Sequence, residues 1–332
     1  MRFGIEMVPD IKYFELEYYT KLAEEVNFGY EWITDHYNNR NVYTMLTLLA
    51  LKTSTMRVSA GVANPYTSHP AVIASSIATV NEVAEGRAIL GIAAGDKITL
   101  DRIGVKWQKP LTRLREAVEI IRDLLCGKTV DHDGEFFHLN GARLNFNCGE
   151  IPIYIGAQGP KMLKLAAEVG DGVLINASNP SDFKEARKSI EEGLRGSNKK
   201  FDIAAYTSMS VDKDREKARE AAKIVVAFIA AGSPQVIFDR HNIDIEKIEK
   251  VKEALDRAFK KGEWKQVNKA VDDQLVDVFS ISGTPEDAIE NIEKLSKQAV
   301  TQVVAGSPLG PSKKNAINLM GKNVISEFLN ND

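Results

Sequence analysis

The stretch that decides the fold is residues 57–92, RVSAGVANPYTSHPAVIASSIATVNEVAEGRAILGI. The short runs Arg57–Ala60 and Ala88–Ile92 predict two buried strands. Between them, Ala71–Val83 has apolar residues at helical spacing, and Pro70 suits the first turn of a helix. A strand, a helix and a second strand in this order form the repeating unit of a parallel sheet. The stretch therefore predicts an α/β protein.

The same alternation extends over the whole chain. Six further strands are predicted at Phe3–Val8, Glu31–Thr34, Ile153–Ile155, Gly172–Ile175, Ile203–Thr207 and Gln302–Ala305. Six further helices are predicted at Phe14–Val26, Leu111–Leu125, Lys161–Val169, Asp182–Leu194, Arg215–Ala230 and Pro285–Lys297. Eight strands without a dominant glycine-rich first turn favour a (β/α)8 TIM barrel over an open doubly wound sheet.

Two segments are too long for simple crossovers. Residues 129–150, after the fourth strand, contain Asp133-Gly134-Glu135 between two extended runs, which predicts a β-hairpin. Residues 232–275 come after Arg215–Ala230, the helix that follows the seventh strand, and they are rich in Lys, Asp and Glu at helical spacing. Because neither segment contains a flexible Pro/Gly/Ser linker, we expect both to be insertions in a single domain spanning residues 1–332.

Composition narrows the class of protein. The 332 residues are 44% hydrophobic and 27% charged, enough apolar content for a large core without disulfides or metals. Lysine and arginine total 43 against 46 acidic residues, a balance that argues against nucleic acid or an anionic membrane as the main partner. No apolar run approaches the length of a bilayer span, and the two cysteines suit a reducing compartment. We therefore expect a cytoplasmic globular protein.

In a parallel barrel, ligands bind at the carboxyl ends of the strands, where polar, Gly and Pro residues cluster in this sequence. The chain has no P-loop, no Gly-x-Gly-x-x-Gly turn, no Gly-x-Ser-x-Gly elbow and no His-Glu-x-x-His pair. Five histidines without ligand spacing make a metal site improbable on these grounds. A large organic cofactor across the barrel mouth accounts best for so many small residues.

From residue type and position alone, several of these residues have two interpretations. Glu6 follows an apolar strand and is either a desolvated acid or a salt-bridged barrel carboxylate. Asp35 either caps a helix or lies near the chemistry, and His36 either binds a ligand or satisfies a loop carbonyl. The run Gly156–Gly159 is either a tight turn or an anion site at a helix N-terminus.

The strand-end loops resemble those of the bacterial luciferase-like family, and within it the enzymes that use the deazaflavin coenzyme F420. The likeness covers nearly the whole chain in order and is carried by Phe3-Gly4-Ile5-Glu6, Asp35-His36-Tyr37-Asn38-Asn39, Asn64-Pro65-Tyr66-Thr67-Ser68-His69-Pro70, Gly156-Ala157-Gln158-Gly159-Pro160, Asn176-Ala177-Ser178-Asn179-Pro180 and Gly306-Ser307-Pro308-Leu309-Gly310-Pro311.

The resemblance implies non-covalent binding of F420 (an 8-hydroxy-5-deazaflavin) and reversible hydride transfer to 5,10-methylenetetrahydromethanopterin, giving the 5-methyl product in archaeal one-carbon metabolism. It implies a non-prolyl cis peptide at Gly61–Val62, Glu6 as general acid and Asp35 as a second catalytic residue. The residues expected to bind the cofactor are His36, Gly61, Val62, Asn64, Asp96, Gly156, Ala157, Gln158, Gly159, Asn176, Ala177 and Ser178. Lys161 or Lys164 is expected to attract its anionic tail.

Four residues are expected as a group to flank the pterin, although packing at the barrel rim is the favoured interpretation of any one of them alone: Tyr66, Thr67, Tyr206 and Phe228. The small-molecule substrate is expected to be a tetrahydromethanopterin or tetrahydrosarcinapterin derivative, and the protein a homodimer or homotetramer. Two other interpretations stay open at this point. One is another luciferase-like enzyme, either an F420-dependent alcohol dehydrogenase or an FMN monooxygenase. The other is a flavin-binding barrel without catalytic activity.

Overall fold

Eight parallel strands close into a barrel in the computed structural model, which describes residues 1–95 and 97–329. Three further strands lie outside the barrel: β5 and β6 form a separate hairpin, and β10 pairs with one barrel strand, β9. In chain order all strands of the described residues are β1 (Arg2–Met7), β2 (Tyr30–Ile33), β3 (Arg57–Ala63), β4 (Ala88–Ile92), β5 (Val130–Asp133), β6 (His138–Ala142), β7 (Ile153–Gly156), β8 (Gly172–Ile175), β9 (Asp202–Val211), β10 (Ile281–Gly283) and β11 (Gln302–Leu309). The ring runs β1-β2-β3-β4-β7-β8-β9-β11 and returns to β1, with every pairing parallel. The predicted TIM barrel is confirmed.

Helices cover the outside of the barrel. They are α1 (Tyr13–Glu25), α2 (Val42–Ala50), α3 (Pro70–Val83), α4 (Lys97–Asp101), α5 (Pro110–Leu125), α6 (Pro160–Val169), α7 (Pro180–Gly193), α8 (Arg215–Gly232), α9 (Gln235–His241), α10 (Ile245–Lys261), α11 (Trp264–Ala270), α12 (Asp273–Phe279), α13 (Pro285–Ser296), α14 (Lys313–Leu319) and α15 (Ser326–Leu329), with a π-helix at Met320–Ile325. Each helix predicted from the sequence is present.

The sequence patterns did not predict helix α2, and they predicted strands β9 and β11 too short. Helix α2 is almost wholly apolar, so no polar face marks it, and only its cap, Asn41, which accepts a hydrogen bond from the Thr44 amide, signals its start. Strand β9 extends to Val211 and β11 to Leu309, past the predicted ends at Thr207 and Ala305. Polar residues interrupt the apolar pattern in both extensions. The extension of β9 is held in an extended conformation because the short strand β10 pairs with Met209–Val211.

Side chains alternate between the barrel interior and the helical layer, as successive residues of a strand must. The interior cluster consists of Trp32, Ile89, Tyr154, Leu174, Ala204 and Val304, all almost completely buried. The neighbouring positions Ile5, Ile33, Ile155 and Val303 pack outward against the helices. The interior is therefore a packed core, and Glu6, two residues after the inward position of Gly4, belongs to its topmost layer.

A polar network closes the amino-terminal end of the barrel. The Arg2 guanidinium donates to both carboxylate oxygens of Asp202 at 2.6 and 2.5 Å and to the Tyr30 hydroxyl at 3.4 Å, and the Tyr154 hydroxyl also donates to Asp202. Burial raises the pKa of Asp202, but the hydrogen bonds from Arg2 and Tyr154 outweigh it and hold that pKa below its usual value. With this end sealed, a ligand can enter only at the carboxyl ends of the strands.

The segment 129–150 contains an antiparallel hairpin of β5 and β6, with a turn that extends from Gly134 to Phe137, longer than the predicted one. Glu116 of α5 accepts hydrogen bonds from the backbone amides of Glu135, Phe136 and Phe137, at 2.9 to 3.3 Å. The Arg113 guanidinium stacks on the rings of Phe136 and Tyr66, 4.3 and 4.6 Å from their centroids. The hairpin thereby braces the loop that follows β3.

The segment 232–275 is helical and packs with α8 around a second apolar cluster centred on Ile248, Val251 and Leu275. An ion-paired group fastens it to the barrel: Asp182 at the start of α7 accepts from Arg240 at 2.5 Å and contacts His241 at 3.0 Å. Within the described residues no single helix is long and apolar enough to cross a membrane, and α8 and α9, which meet that criterion only together, are bent by 117° at their junction.

One buried carboxyl lies outside the barrel lumen. Glu31 of β2 is fully buried against α1, where the Thr20 hydroxyl contacts both its carboxyl and the Leu16 carbonyl oxygen. Burial raises the pKa of Glu31 to about 8. Because a hydroxyl has one hydrogen to donate, a protonated Glu31 satisfies both contacts of Thr20.

We expect Glu31 to make the protein less stable as the pH rises from about 4.5 to 8. Over this range the folded state keeps the Glu31 proton and the unfolded state loses it, so the free energy of unfolding falls by up to about 1.4 kcal/mol per pH unit. Glu31→Gln removes this dependence. Urea unfolding of both proteins at pH 5, 6.5 and 8 measures the difference, and parallel pH profiles would contradict the assignment.

Candidate active site

The carboxyl ends of the strands surround two cavities, of about 280 and 430 Å³. Six of the predicted site residues line the smaller one, which we call the ring cavity: Asp35, His36, Gly61, Val62, Asn64 and Thr67. Five line the larger one, which we call the loop cavity: Gln158, Gly159, Asn176, Ala177 and Ser178. The predicted cofactor residues therefore divide between two neighbouring spaces.

The end of β7 lies between the two cavities. A methyl group on Gly156 would lie 2.8 Å from Ala93 Cβ and 3.7 Å from Val62, and both of these residues line the ring cavity. Two residues later, Gln158 and Gly159 line the loop cavity. Residues at the end of β7 thus border both cavities. Ala157 is buried, and its amide donates to the Leu174 carbonyl, so its part is to hold this strand end in place.

A bulge in β3 forms one wall of the ring cavity. The register of β3 against β4 shifts between Ala60 and Ala63, and the Gly61–Val62 peptide between them is cis, as the family resemblance implies. Gly61 packs on Trp32 and Tyr206, since a methyl group there would lie 3.0 Å from Trp32 Cβ and 3.2 Å from the Tyr206 hydroxyl oxygen. The bulge thus rests on the aromatic core of the barrel.

Glu6 lies at the top of the barrel lumen. Its Oε2 accepts a hydrogen bond from the Ser307 amide at 2.9 Å, and Ser307 is held in turn because the Ser208 hydroxyl donates to its carbonyl oxygen at 3.0 Å. Burial raises the pKa of Glu6, and this effect outweighs the opposing hydrogen bond from Ser307 and the positive charge of Lys313. A carboxyl group whose pKa is raised by burial is a candidate for proton transfer.

Asp35 and Tyr43 form a second polar group at the wall of the ring cavity. Burial raises the pKa of Asp35, and the nearby His36 partly offsets that effect. The Tyr43 hydroxyl is buried without a hydrogen-bond partner among residues 1–95 and 97–329. Because buried polar groups are nearly always paired, this orphaned hydroxyl fits a ligand that brings its own polar atom into the cavity.

The loop cavity adjoins the start of α6. Gly159 is the N-cap residue of this helix, and no side chain among the described residues caps it. The cavity wall is ordered by two hydrogen bonds, from Gln158 Nε2 to the Asn176 carbonyl and from the Ser178 hydroxyl to the Phe279 carbonyl, at 3.1 and 3.2 Å. Free backbone amides and the helix dipole at this point fit an anionic group such as a phosphodiester.

Several predicted residues lie elsewhere. Tyr66 is a packing residue, because its hydroxyl donates to the Gln108 carbonyl at 2.8 Å and its ring is covered by Arg113. Phe228 lies half-exposed on α8 against Phe259 and Trp264, and it lines neither cavity. Lys161 and Lys164 line a separate groove with Arg115 and Glu168. Asp96, predicted to bind the cofactor, lies outside the described residues.

Sequence reasoning missed three residues around the site: Tyr43, Ser307 and Lys313. Tyr43 lies in the helix α2, which the sequence pattern did not predict. Ser307 acts through its backbone amide, which any residue type could supply, so no side-chain signal exists. Lys313 approaches Glu6 only because α14 begins beside the mouth. Thr67 lines the ring cavity as predicted, and its hydroxyl donates to the Asn64 carbonyl at 3.1 Å.

Comparison with known proteins identifies the class. Residues 2–302 match the family described as luciferase-like monooxygenase, and the chain belongs to this family. The resemblance inferred from the strand-end loops is thereby confirmed.

Within that family the similarity is strongest to one kind of enzyme. The chain is 62% identical to a 5,10-methylenetetrahydromethanopterin reductase of Archaeoglobus fulgidus over 331 residues, which cover 99% of this chain and 100% of that protein. It is 48% identical to the reductase of the same name from Methanolobus tindarius, over 98% and 100% of the two chains. The solved coenzyme F420-dependent tetrahydromethanopterin reductase of Methanopyrus kandleri superimposes with a TM-score of 0.92 at 43% identity, over 98% and 99% of the chains.

Proposed function

We propose that this protein is an F420-dependent 5,10-methylenetetrahydromethanopterin reductase. It catalyses reversible hydride transfer that converts the methylene group of the pterin substrate into a methyl group, in the one-carbon metabolism of methanogenesis or its reversal. The observation that carries the proposal is the 62% identity to a reductase of this name, which extends over 99% of this chain and 100% of that protein. The alternative enzymes are less similar in sequence: an F420-dependent secondary alcohol dehydrogenase has the same fold but is only 22% identical.

When bound, F420 supplies the hydride from C5 of its reduced deazaflavin ring. The residues of the two cavities fit that cofactor, and we assign the ring to the ring cavity and the phosphodiester to the loop cavity. The Gly61–Val62 bulge, Asp35, His36 and Tyr43 would hold the ring, because all of them line that cavity. The start of α6 would bind the phosphodiester through its free backbone amides. The protein's part in hydride transfer is to hold two ring systems at reacting distance and to exclude water.

Glu6 is the proposed general acid. Opening the methylene bridge leaves an amine nitrogen that requires a proton, and the raised pKa of Glu6 lets its carboxyl group hold that proton to a higher pH than an exposed glutamate does. After transfer, the Ser307 amide stabilises the carboxylate at Oε2, and the charge of Lys313 acts in the same direction. In the reverse direction the same carboxylate removes the proton.

We also propose a location, a domain organisation and an oligomeric state for the enzyme. Charge balance, the reduced cysteines and the lack of a membrane-spanning helix among the described residues support a cytoplasmic location. The segments 129–150 and 232–275 pack on the barrel helices, which supports a single domain with two insertions. The exposed aromatic rings of Phe228 on α8 and of Phe259 and Trp264 on the second insertion support a homodimer or homotetramer.

The test is an anaerobic assay with reduced F420 and 5,10-methylenetetrahydromethanopterin, followed as the appearance of oxidised F420. We expect a signal that depends on the pterin and is absent with reduced FMN or NADPH. F420 binding without this signal would leave the cofactor assignment and redirect the substrate search to alcohols. Failure to bind F420 would overturn the proposal.

A further inference from the structure

Tyr206 crosses the barrel lumen just below the site. It projects inward from β9, its ring meets Trp32 edge to face with centroids 6.5 Å apart, and its hydroxyl reaches the Gly61 bulge of β3. Strand β9 and strand β3 lie on opposite sides of the ring of strands. The side chain therefore spans the barrel lumen from β9 to the bulge of β3.

The Tyr206 hydroxyl is buried, and no hydrogen bond from the described residues reaches it. Burial raises the pKa of this hydroxyl well above its usual value, and the negative charge of Glu6 raises it further. Tyr206 is therefore protonated at every working pH and can act as a hydrogen-bond donor. Leaving such a donor unpaired would cost free energy that no packing contact repays.

The groups that face Glu6 are few. Ser307 on β11 donates its amide to Oε2, Lys313 at the start of α14 contributes a positive charge, and Tyr206 lies below on β9. No direct hydrogen bond joins Tyr206 to Glu6, although both lie in the described part of the chain. The strand register from β1 through β11 to β9 aligns Gly4, Val304 and Tyr206 in one inward layer, directly below the layer of Glu6. One water molecule between these two layers can bridge the two polar groups.

We propose that Tyr206 is a positioning residue for Glu6, with its hydroxyl donating through one bound water to the carboxylate that proton transfer leaves behind. The proposal rests on the proposed function of Glu6. Tyr206 keeps its own proton throughout, and the proton that reaches the pterin nitrogen comes from Glu6. Because the added hydrogen bond favours the charged form, it keeps the pKa of Glu6 from rising as far as burial alone would take it.

The test is Tyr206→Phe, with pH profiles of kcat measured in both directions. Reduction needs protonated Glu6 and falls as the pH rises, whereas the reverse reaction needs the carboxylate and increases. We expect both midpoints to move upward together, by about one pH unit, with the KM for F420 unchanged. The matched control is Tyr30→Phe, which removes a hydroxyl at the opposite end of the same lumen and should leave both midpoints in place.

A second measurement needs no turnover. The carbonyl stretch of protonated Glu6, assigned by its loss in Glu6→Gln, is titrated by infrared spectroscopy in wild type and in Tyr206→Phe. An upward shift of this titration supports the proposal even if the enzyme acts on another substrate. Coincident titrations, or a change in thermal midpoint alone, would show that Tyr206 is only a packing residue and would overturn it.

Discussion

Replacing Glu6 with glutamine is expected to lower turnover by about 10²–10⁴-fold, the usual contribution of a positioned acid or base, while F420 binding is retained. Glutamine keeps the shape of the side chain and an oxygen that can accept from the Ser307 amide. It has no acidic proton to give to the pterin nitrogen. Single-turnover oxidation of reduced F420 measures the loss, and fluorescence titration of F420 measures binding.

The structure supplies a matched control for this experiment. Glu31 is also a buried carboxyl with a raised pKa, and it lies on the next strand, but it points into the helical layer and away from the lumen. Glu31→Gln should therefore keep full turnover near neutral pH. If Glu6→Gln keeps it too, Glu6 has no part in the mechanism. If both variants lose activity together, the loss reports damage to β1 and β2 and says nothing about acid catalysis.

The fold could be predicted from the sequence because its signals are local and repeated. Each βαβ unit carries its own apolar strands and amphipathic helix, so eight repeats point to a closed barrel even where single boundaries are off by a few residues. The extension of β9 to Val211 could not be predicted, because it depends on pairing with β10, seventy residues further along the chain. Helix α2 was missed because burial on several sides removed its polar face.

The site was predicted less completely, for a physical reason. Residues such as Asp35, Gly61 and Asn176 follow strands directly, so the rule that ligands bind at carboxyl ends was enough to find them. Phe228 was selected for its aromatic side chain alone, and the structure puts it on the outer side of α8. Ser307 and Lys313 act through a backbone amide and through charge at a distance. Both effects depend on where the chain returns to the mouth after more than three hundred residues.

The second large effect is expected from Gly306→Ala, because Gly306 lies where β11 packs closely against Glu6 of β1. A methyl group on Gly306 would lie 2.5 Å from the Thr207 carbonyl oxygen and 2.7 Å from Glu6 Oε2. Because these distances are shorter than a van der Waals contact, β11 or the Glu6 carboxyl must move, and moving the backbone costs free energy. We expect stability to fall by about 1–3 kcal/mol, as overpacking does, and turnover to fall by about 10²-fold, as a displacement near 1 Å does.

The control for Gly306→Ala is Gly232→Ala at the end of α8, where an added methyl group meets no atom within 4 Å. It should lower neither turnover nor the thermal midpoint. The informative comparison is between Gly306→Ala and Glu6→Gln. If the methyl group acts by displacing Glu6, the double variant is no slower than Glu6→Gln alone, because the acid that it displaces is already absent. If the loss of turnover in the double variant is instead the product of the two single losses, Gly306→Ala acts on the binding of a substrate or cofactor.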